Sequence, residues 1–278
     1  MSRERLRIGI SSCPNDTFAF HGLIAGEVDS QGFDLEFELL DVQALNERLL
    51  RGDFDAAKAS FAAALDLARD VVVLRVGAAV GRGVGPVVLA PAEPARRHDE
   101  RVVLAPGAHT TATLLWRLLH PGEGRLGQVV FSEIMPALAR GDADLGVCIH
   151  EGRFTYGAWN LRLVEDLGTT WERMTGLPLP LGGILARKNL GTERILRLET
   201  AIRASIEHGR AHPERAVTTM RRWAQEDSDE VLWKHVELYV TDETHALSPE
   251  AKASLAELAR RARALGIGAA ADLELASG

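Results

Sequence analysis

Residues 134–156, IMPALARGDADLGVCIHEGRFTY, decide the fold class of this chain. Residues 135–139 begin a short helix, the segment 140–144 breaks it, and residues 145–149 form a short apolar run. Leucine, valine and isoleucine dominate that run, which predicts a buried strand of a parallel sheet. His150 follows at the carboxyl end of this strand, the edge at which open α/β sheets bind ligands. A histidine at that edge can act as a base near neutral pH.

The same order of helix, turn and strand occurs earlier in the chain. A helix precedes the segment RGDFD, and the short strand that follows it ends at Ser60. The two R-G-D-x-D segments begin at Arg51 and Arg140, 89 residues apart, which favours two similar α/β lobes. Facing lobes would bring Ser60 and His150 together across a cleft. The alternative is coincidence, since Gly-Asp is a common turn between a helix and a strand.

The composition of the 278 residues is that of an ordinary globular protein, with 46% hydrophobic and 26% charged residues. The net charge of −7 and the lack of a basic run argue against a nucleic-acid partner. No apolar stretch approaches the roughly 18 residues of a membrane span, and the amino terminus lacks the apolar region of a signal peptide. Cys13 and Cys148 are too few for a disulfide framework, so we expect a cytoplasmic location. The oligomeric state is left open.

Residues 12–17, SCPNDT, form a small polar loop between the first predicted strand and a helix. Asn15, Asp16 or Thr17 can cap that helix, which is the structural alternative. The functional interpretation is that the loop and the helix amino terminus face the cleft, where free amide groups favour anionic ligands. Cys13 has a nucleophilic thiol, but no cysteine-protease signature surrounds it, which favours a packed small residue.

A second polar loop, residues 106–113, joins a strand to a helix in the second lobe. Thr110 and Thr111 stand at the start of that helix, where unpaired backbone amides and hydroxyl groups suit a carboxylate. Capping by one threonine is the alternative. Two adjacent threonines exceed what a cap needs, so the pattern favours ligand binding. His109 is interpreted as a loop residue rather than a catalytic one.

Two composition breaks predict the crossings between the lobes. The segment 91–94, PAEP, follows an apolar strand, and residues 171–184 contain two prolines and three glycines, which exclude continuous regular structure. Lobe one is therefore predicted to contain residues 1–92 and 178–278, and lobe two residues 95–172.

The glycine-rich segment GRGVGP, residues 81–86, does not match the G-x-G-x-x-G fingerprint. Dinucleotide binding is therefore rejected, and a hairpin before the next apolar strand is predicted. Residues 191–265 have helical periodicity, with a break at His212-Pro213. The nine histidines include neither H-x-H nor H-E-x-x-H, so we expect no metal site.

Five segments together resemble the 1,4-dihydroxy-6-naphthoate synthases of the futalosine route to menaquinone, which act on cyclic dehypoxanthine futalosine. The segments are SCPNDTF (12–18), GRGVGP (81–86), HTTA (109–112), HEGRFTY (150–156) and TGLPLPLG (175–182). The resemblance runs in order from about residue 5 to about residue 245. It implies an α/β fold like that of the type 2 periplasmic binding proteins, with two α/β lobes joined by two crossings and a ligand in the central cleft.

The resemblance also implies roles for particular residues. His150 is the proton acceptor of the H-E-x-R-F-T-Y motif, and a lysine-x-serine segment and the paired threonines line the substrate site. Together with the loop residues considered above, the expected substrate-binding residues are Asn15, Asp16, Lys58, Ala59, Ser60, Thr110 and Thr111. Whether Glu151, Arg153 or Asp16 assists His150 is left open.

The implied activity is that of a lyase. The base removes a carbon-bound proton, the ribose-derived part is expelled, and the remainder aromatises to dihydroxynaphthoate. A base and orientation suffice for such a reaction, so we expect neither metal nor cofactor. The expected partner is a small-molecule carboxylate substrate. Two alternatives remain: a cytoplasmic small-carboxylate binding protein, since a fold does not choose its function, and the sister chorismate dehydratase, although HTT and HEGRFTY favour the naphthoate synthase.

Overall fold

Two mixed β-sheets, each covered by helices, form the molecule. The computed structural model describes residues 3–93, 99–150, 152–224, 228–269 and 271–277. In these residues the strands are β1 (Glu4–Ser11), β2 (Phe33–Leu40), β3 (Ala56–Ser60), β4 (Val71–Val73), β5 (Ala79–Gly81), β6 (Val87–Pro91), β7 (Val102–Ala105), β8 (Arg125–Gln128), β9 (Leu145–Cys148), β10 (Leu161–Asp166) and β11 (Leu179–Arg187). The α-helices are α1 (Pro14–Ala19), α2 (His21–Ile24), α3 (Val42–Arg51), α4 (Phe61–Asp66), α5 (Thr111–Leu119), α6 (Phe131–Arg140), α7 (Gly152–Thr155), α8 (Leu167–Thr175), α9 (Thr192–Ala211), α10 (Pro213–Trp223), α11 (Asp229–Tyr239), α12 (Asp242–His245) and α13 (Pro249–Ala264).

The first sheet has the strand order β2-β1-β3-β11-β4, and β5 also pairs with β11. Strands β1, β2 and β3 run parallel, whereas β11 runs antiparallel to β3, β4 and β5. The alternating sequence FDLEFELL forms the edge strand β2, as its pattern predicts. We call this sheet and the helices packed on it lobe one.

The second sheet has the strand order β10-β6-β9-β7-β8 and is called lobe two with its helices. Strand β7 runs parallel to β8 and β9, whereas β6 runs antiparallel to β9 and β10. The predicted repeat of the helix–turn–strand unit in two lobes is confirmed by this pairing. Each strand that follows an R-G-D-x-D turn, β3 or β9, lies between one parallel neighbour and one antiparallel neighbour.

The predicted position of the first crossing is wrong. Strand β6 pairs with β9 and β10, so it belongs to lobe two although it was assigned to residues 1–92 of lobe one. Pro91 therefore ends a strand of lobe two instead of leading into that lobe, and Pro94 lies outside the described residues. The predicted hairpin is also wrong, because β5 pairs with β11 and not with β6. The glycine-rich segment between β5 and β6 is the crossing.

The return crossing is shorter than predicted. Helix α8 continues to Thr175 and β11 begins at Leu179, so regular structure covers most of residues 171–184. A register shift between Pro180 and Gly182 accommodates the proline within the sheet, as irregularities of this kind commonly do. The remaining lobe boundaries stay predictions.

The largest apolar cluster extends through both lobes. It contains Leu45 and Val73 of lobe one together with Leu115 and Val147 of lobe two, all of them fully buried. Burial of a shared apolar surface is the main favourable contribution to holding the lobes together. No helix in the described part of the chain combines the length and the apolar character that crossing a membrane requires.

Candidate active site

A cavity lies between the lobes at the carboxyl ends of β3 and β9, and the space that it encloses together with its open mouth is about 690 Å³. The predicted base and the seven expected substrate-binding residues all line it: His150, Asn15, Asp16, Lys58, Ala59, Ser60, Thr110 and Thr111. The structure thus brings these residues to one place, while their roles in binding and catalysis stay predictions.

His150 follows the end of β9 with a positive φ of 55°. This left-handed conformation is costly for a residue with a side chain, and such strain clusters at functional sites. Arg153 anchors helix α7: its guanidinium donates to Gly85 O at 2.7 Å and to Asp166 Oδ2 at 2.7 Å. Arg153 itself lies outside the cavity lining. Glu151 lies outside the described residues.

Cys13 contacts His150 from the opposite lobe. Its Sγ lies 3.3 Å from Nδ1 and 3.7 Å from Nε2 of the imidazole, and the Phe131 ring packs edge-on against the same imidazole. The Cys13 side chain is buried, so it is a packed residue, as favoured, and also a direct neighbour of the candidate base. Burial raises the pKa of the other thiol, Cys148, to about 12, which keeps that thiol protonated and unreactive at neutral pH.

Asp16 and Lys58 form a buried ion pair on the lobe-one wall of the cavity. Lys58 Nζ donates to Asp16 Oδ1 at 2.5 Å, and Ser11 Oγ donates to Asp16 Oδ2 at 2.6 Å. Asp16 is 2% exposed and Lys58 is 8% exposed, and charges so deeply buried persist when they are paired and hydrogen-bonded. The capping role considered for the loop is wrong, because the N-cap of α1 is Cys13 and Asp16 lies inside the helix, paired with Lys58.

His235, on α11, lines the same cavity and was missed in the sequence. Its Nε2 lies 2.9 Å from Asn15 Oδ1, and Asn15 Nδ2 donates to Asp16 Oδ1 at 2.8 Å. Burial, followed by the charges of His150 and Lys58, holds the pKa of His235 well below its usual range. The neutral ring donates from Nε2 and so carries a lone pair on Nδ1. Within the part of the chain that the structure describes, this buried Nδ1 has no hydrogen-bond partner.

The chain distance explains why His235 was missed. It lies 220 residues after Asn15, in a segment whose periodicity predicts only a packed helix. Tyr239, four residues further on, also lines the cavity and shares the same face of the helix. This i,i+4 spacing was the one signal that the sequence contained.

Thr110 and Thr111 use their hydroxyl groups within the protein. Thr110 caps α5: its Oγ1 accepts a hydrogen bond from Thr113 N at 3.2 Å and donates to Gly107 O at 2.8 Å. Thr111 Oγ1 donates across the cleft to Leu181 O of lobe one at 2.6 Å. Capping by one threonine, the alternative, is therefore present, and the second threonine joins the lobes. Because both hydroxyl groups are used within the protein, the groups that can bind an anionic ligand here are the backbone N–H groups of the first turn of α5, which have no acceptor within the helix.

Asn46 connects Ser60 to lobe two. Its Nδ2 donates to Ser60 Oγ at 3.1 Å and to His109 O at 3.1 Å, and its Oδ1 accepts from Ser60 N at 2.9 Å. The His109 imidazole lies beside Asp66, with 3.2 Å between Nδ1 and Oδ2, and outside the cavity lining. His109 is thus a loop residue, as predicted, and its backbone carbonyl oxygen accepts a hydrogen bond from Asn46 of lobe one.

Similarity to known proteins covers nearly the whole chain. Residues 6–264 match the model of a family described as menaquinone biosynthesis. A 1,4-dihydroxy-6-naphtoate synthase from Thermus thermophilus is 44% identical over 266 residues, covering 96% of this chain and 97% of that protein. A protein of the same name from Streptomyces coelicolor is 38% identical over 273 residues, covering 96% of each chain.

Solved structures share the fold. A protein from Archaeoglobus fulgidus has a TM-score of 0.87 at 29% identity, covering 94% of this chain and 98% of that one. A Candida albicans protein described as having the generic periplasmic binding protein fold has a TM-score of 0.66 at 11% identity, covering 99% of this chain and 98% of that one. The likeness to the second protein shows the fold alone. The predicted two-lobe α/β fold of periplasmic-binding-protein type is confirmed.

Proposed function

The chain belongs to the menaquinone biosynthesis family, and on this premise we propose that it converts cyclic dehypoxanthine futalosine to 1,4-dihydroxy-6-naphthoate, with His150 as the general base. Two relatives of nearly equal length carry the name of that synthase, which supports the lyase activity. The residues that line the cavity support a small-molecule carboxylate as the substrate.

The observation that carries the proposal is the environment of His150. Its imidazole lines the cavity, its backbone is held in a left-handed conformation, and its Nδ1 lies 3.3 Å from Cys13 Sγ. A base that is positioned by neighbours in this way typically accelerates a reaction by about 10²–10⁴-fold. A purely binding protein has no need for such a group at its ligand.

In the proposed reaction His150 accepts the carbon-bound proton of the substrate. The electron pair of the broken C–H bond forms a new double bond in the ring system, the ribose-derived part leaves with the electron pair of its own bond to the ring, and the remaining rings aromatise. The protein supplies orientation and exclusion of water, because both lobes contribute walls to the cavity. Contact between Cys13 and the imidazole keeps the base in one orientation.

We assign the substrate carboxylate to the amino terminus of α5, where backbone N–H groups and the helix dipole favour an anion. The Ser60 hydroxyl, which accepts a hydrogen bond from Asn46, donates its own proton to the same ligand. His235 Nδ1 is buried, neutral and unsatisfied, so it accepts a hydrogen bond from a substrate hydroxyl group. The Asp16–Lys58 pair fixes Asn15 and through it the His235 ring.

We place this reaction in the cytoplasm, as the sequence predicts. Both cysteines are free thiols, which fits a reducing compartment. The substrate and product are small molecules, and the reaction itself requires no second protein.

The test is product analysis by liquid chromatography and mass spectrometry after the protein is mixed with cyclic dehypoxanthine futalosine. We expect time-dependent formation of 1,4-dihydroxy-6-naphthoate by the wild-type protein and formation about 10²–10⁴-fold slower by His150→Asn. A parallel reaction with chorismate distinguishes the sister activity. If folded protein binds cyclic dehypoxanthine futalosine saturably but does not convert it, the protein is a binding protein and the proposal is overturned.

A further inference from the structure

Two histidines and a glutamate converge outside the cavity, where α2, the turn after it and the end of α9 meet. His21, Glu27 and His208 each offer one ligand atom, and these atoms lie within 4.8 Å of one another. Glu27 Oε2 is 3.5 Å from His21 Nε2 and 2.7 Å from His208 Nε2. None of the three residues belongs to the cavity lining, so the cluster is separate from the candidate active site.

The imidazole of His21 is buried, with 3% of the residue exposed, and it is only half satisfied. Its Nδ1 lies 2.7 Å from Thr219 Oγ1, whereas its Nε2 has no hydrogen-bond partner among the described residues. If Nδ1 carries the proton, the lone pair of Nε2 faces the carboxylate of Glu27, which is repulsive. If Nε2 carries the proton, the distance of 3.5 Å to Glu27 Oε2 is too long for a hydrogen bond. With the proton on Nδ1, a cation bound between His21 Nε2 and Glu27 Oε2 removes this repulsion.

We propose that His21, Glu27 and His208 bind one divalent transition-metal ion of the zinc class. Zinc bonds of about 2.0–2.2 Å to nitrogen and oxygen separate tetrahedral ligand atoms by roughly 3.3 Å. The distance between His21 Nε2 and Glu27 Oε2 already agrees with this value. The His208 ring has to move outward by about 0.6 Å from its hydrogen bond to reach the same separation. Two imidazoles and one carboxylate favour Zn²⁺, Co²⁺ or Ni²⁺ over Mg²⁺ or Ca²⁺.

The surrounding residues are arranged as the outer contacts of a metal site commonly are. Thr219 fixes the orientation and tautomer of His21. Arg215 Nη1 lies 3.2 Å from Glu27 Oε1, which leaves the other carboxylate oxygen for the metal. The positive charge of Arg215 opposes a cation, so we expect micromolar rather than nanomolar affinity. His212 lies one helical turn after His208, with ring centroids 4.6 Å apart, and it or a water molecule supplies the fourth ligand.

The consequence of metal binding is structural. His21 follows α1, which carries Asn15 and Asp16 into the cavity, and His208 and Thr219 belong to the helices packed against α1 and α2. A metal ion therefore ties α2 and the turn after it to the end of α9. No motif in the sequence indicated this site, because His208 lies 181 residues after Glu27 in the chain.

The test uses tag-free, metal-stripped full-length protein. Titration with Co²⁺ reports visible d–d absorption, and titration with Zn²⁺ reports binding heat and the thermal unfolding midpoint. We expect one saturable equivalent of each metal, tetrahedral-type cobalt bands, and a midpoint that rises with Zn²⁺ concentration. Mg²⁺ is the control ion and should produce none of these effects.

Glu27→Gln and His208→Gln, both outside the core, should each weaken Zn²⁺ binding at least tenfold and remove the cobalt bands. His245→Gln is the matched control, because His245 pairs with Glu207 at 2.8 Å and is absent from the converging cluster. It should bind both metals like the wild type. Unsaturable binding, or equal affinity in Glu27→Gln, His208→Gln and His245→Gln, would overturn the proposal. Neither result depends on the proposed enzymatic activity.

Discussion

The two R-G-D-x-D units of the chain form the same turn in different lobes. In each unit the glycine ends a helix in the left-handed conformation, with a φ of 87° at Gly52 and of 74° at Gly141. In each the second aspartate then begins the strand by accepting a hydrogen bond from the parallel neighbour strand. Asp55 Oδ2 accepts from Arg7 N and Asp144 Oδ2 accepts from Val102 N, both at 2.7 Å. The carboxylate therefore sets the register of β3 on β1 and of β9 on β7.

The units differ at the other end of the strand. Ser60 has an ordinary extended conformation, leads directly into α4 and is held by the buried Asn46. His150 has a left-handed conformation and contacts Cys13 of the opposite lobe. The comparison teaches that one scaffold serves two purposes: lobe one presents a rigid binding group, and lobe two presents a strained residue suited to chemistry.

The largest effect is expected when the side chain at the end of either strand, His150 or Ser60, is replaced. His150→Asn should lower kcat for naphthoate formation by about 10²–10⁴-fold, because the amide cannot accept a proton. Product affinity should change little, since asparagine tolerates the left-handed conformation. Ser60→Ala should mainly raise KM and the product dissociation constant. Steady-state kinetics and calorimetric titration measure both effects.

Near-ultraviolet circular dichroism and the thermal midpoint serve as controls for folding in both variants. A His150→Asn enzyme with kcat within about tenfold of the wild type would remove the assignment of His150 as the base. An equal fall of kcat in Ser60→Ala would remove the division of roles between the lobes.

The second way to break the comparison is at the start of the strands. Asp144→Ala should lower the free energy of unfolding by about 2–3 kcal/mol, because it leaves the N–H of buried Val102 without its charged acceptor. Asp55→Ala should cost about 1–2 kcal/mol, because Arg7 is exposed and water can replace the carboxylate. Urea unfolding measures both losses.

Asparagine at either position keeps an oxygen acceptor and should recover a large part of the loss. Equal losses in Asp55→Ala and Asp144→Ala would mean that burial of the neighbour strand does not distinguish the two turns.

A third prediction concerns the wall of lobe one that faces His150. Burial holds the pKa of His235 well below 6.5 in the folded state, so only the unfolded chain takes up this proton as the pH falls through 6.5. The contribution of neutral His235 to the free energy of unfolding is fully present above pH 6.5. It is lost as the pH falls below 6.5, by up to about 1.4 kcal/mol per pH unit. His235→Gln should therefore flatten the decrease in unfolding free energy between pH 7 and pH 5.

Urea titrations at several pH values compare His235→Gln with the half-buried control His245→Gln. The control should retain the slope of the wild type. If His235→Gln retains it as well, His235 is charged in the folded protein, and its Nδ1 is not a free acceptor for the substrate.

The sequence predicted what local patterns determine. Helix, turn and strand signals predicted the repeat of the two turns and the strands before Ser60 and His150. The rule that ligands bind at the carboxyl ends of strands predicted the clustering of the candidate residues. The sequence did not predict contacts between distant segments. The approach of His235 to Asn15, the bond from Asn46 to His109 and the placement of β6 in lobe two depend on tertiary packing, which overrides local composition.

The smallest expected effect tests whether the two turns are equivalent in energy. Gly52→Ala and Gly141→Ala should each lower the free energy of unfolding by about 1 kcal/mol, because a Cβ disfavours positive φ while alanine also restricts the unfolded chain. At Gly52 the added Cβ would meet Arg187 at an ordinary 3.5 Å, so steric overlap contributes nothing and the backbone term alone is measured. The sites lie in different lobes, and the double variant should lose the sum of the two changes. Urea unfolding monitored by circular dichroism gives all three values. A loss at one glycine without a loss at the other would show that the sequence repeat does not extend to the energetics of the turn.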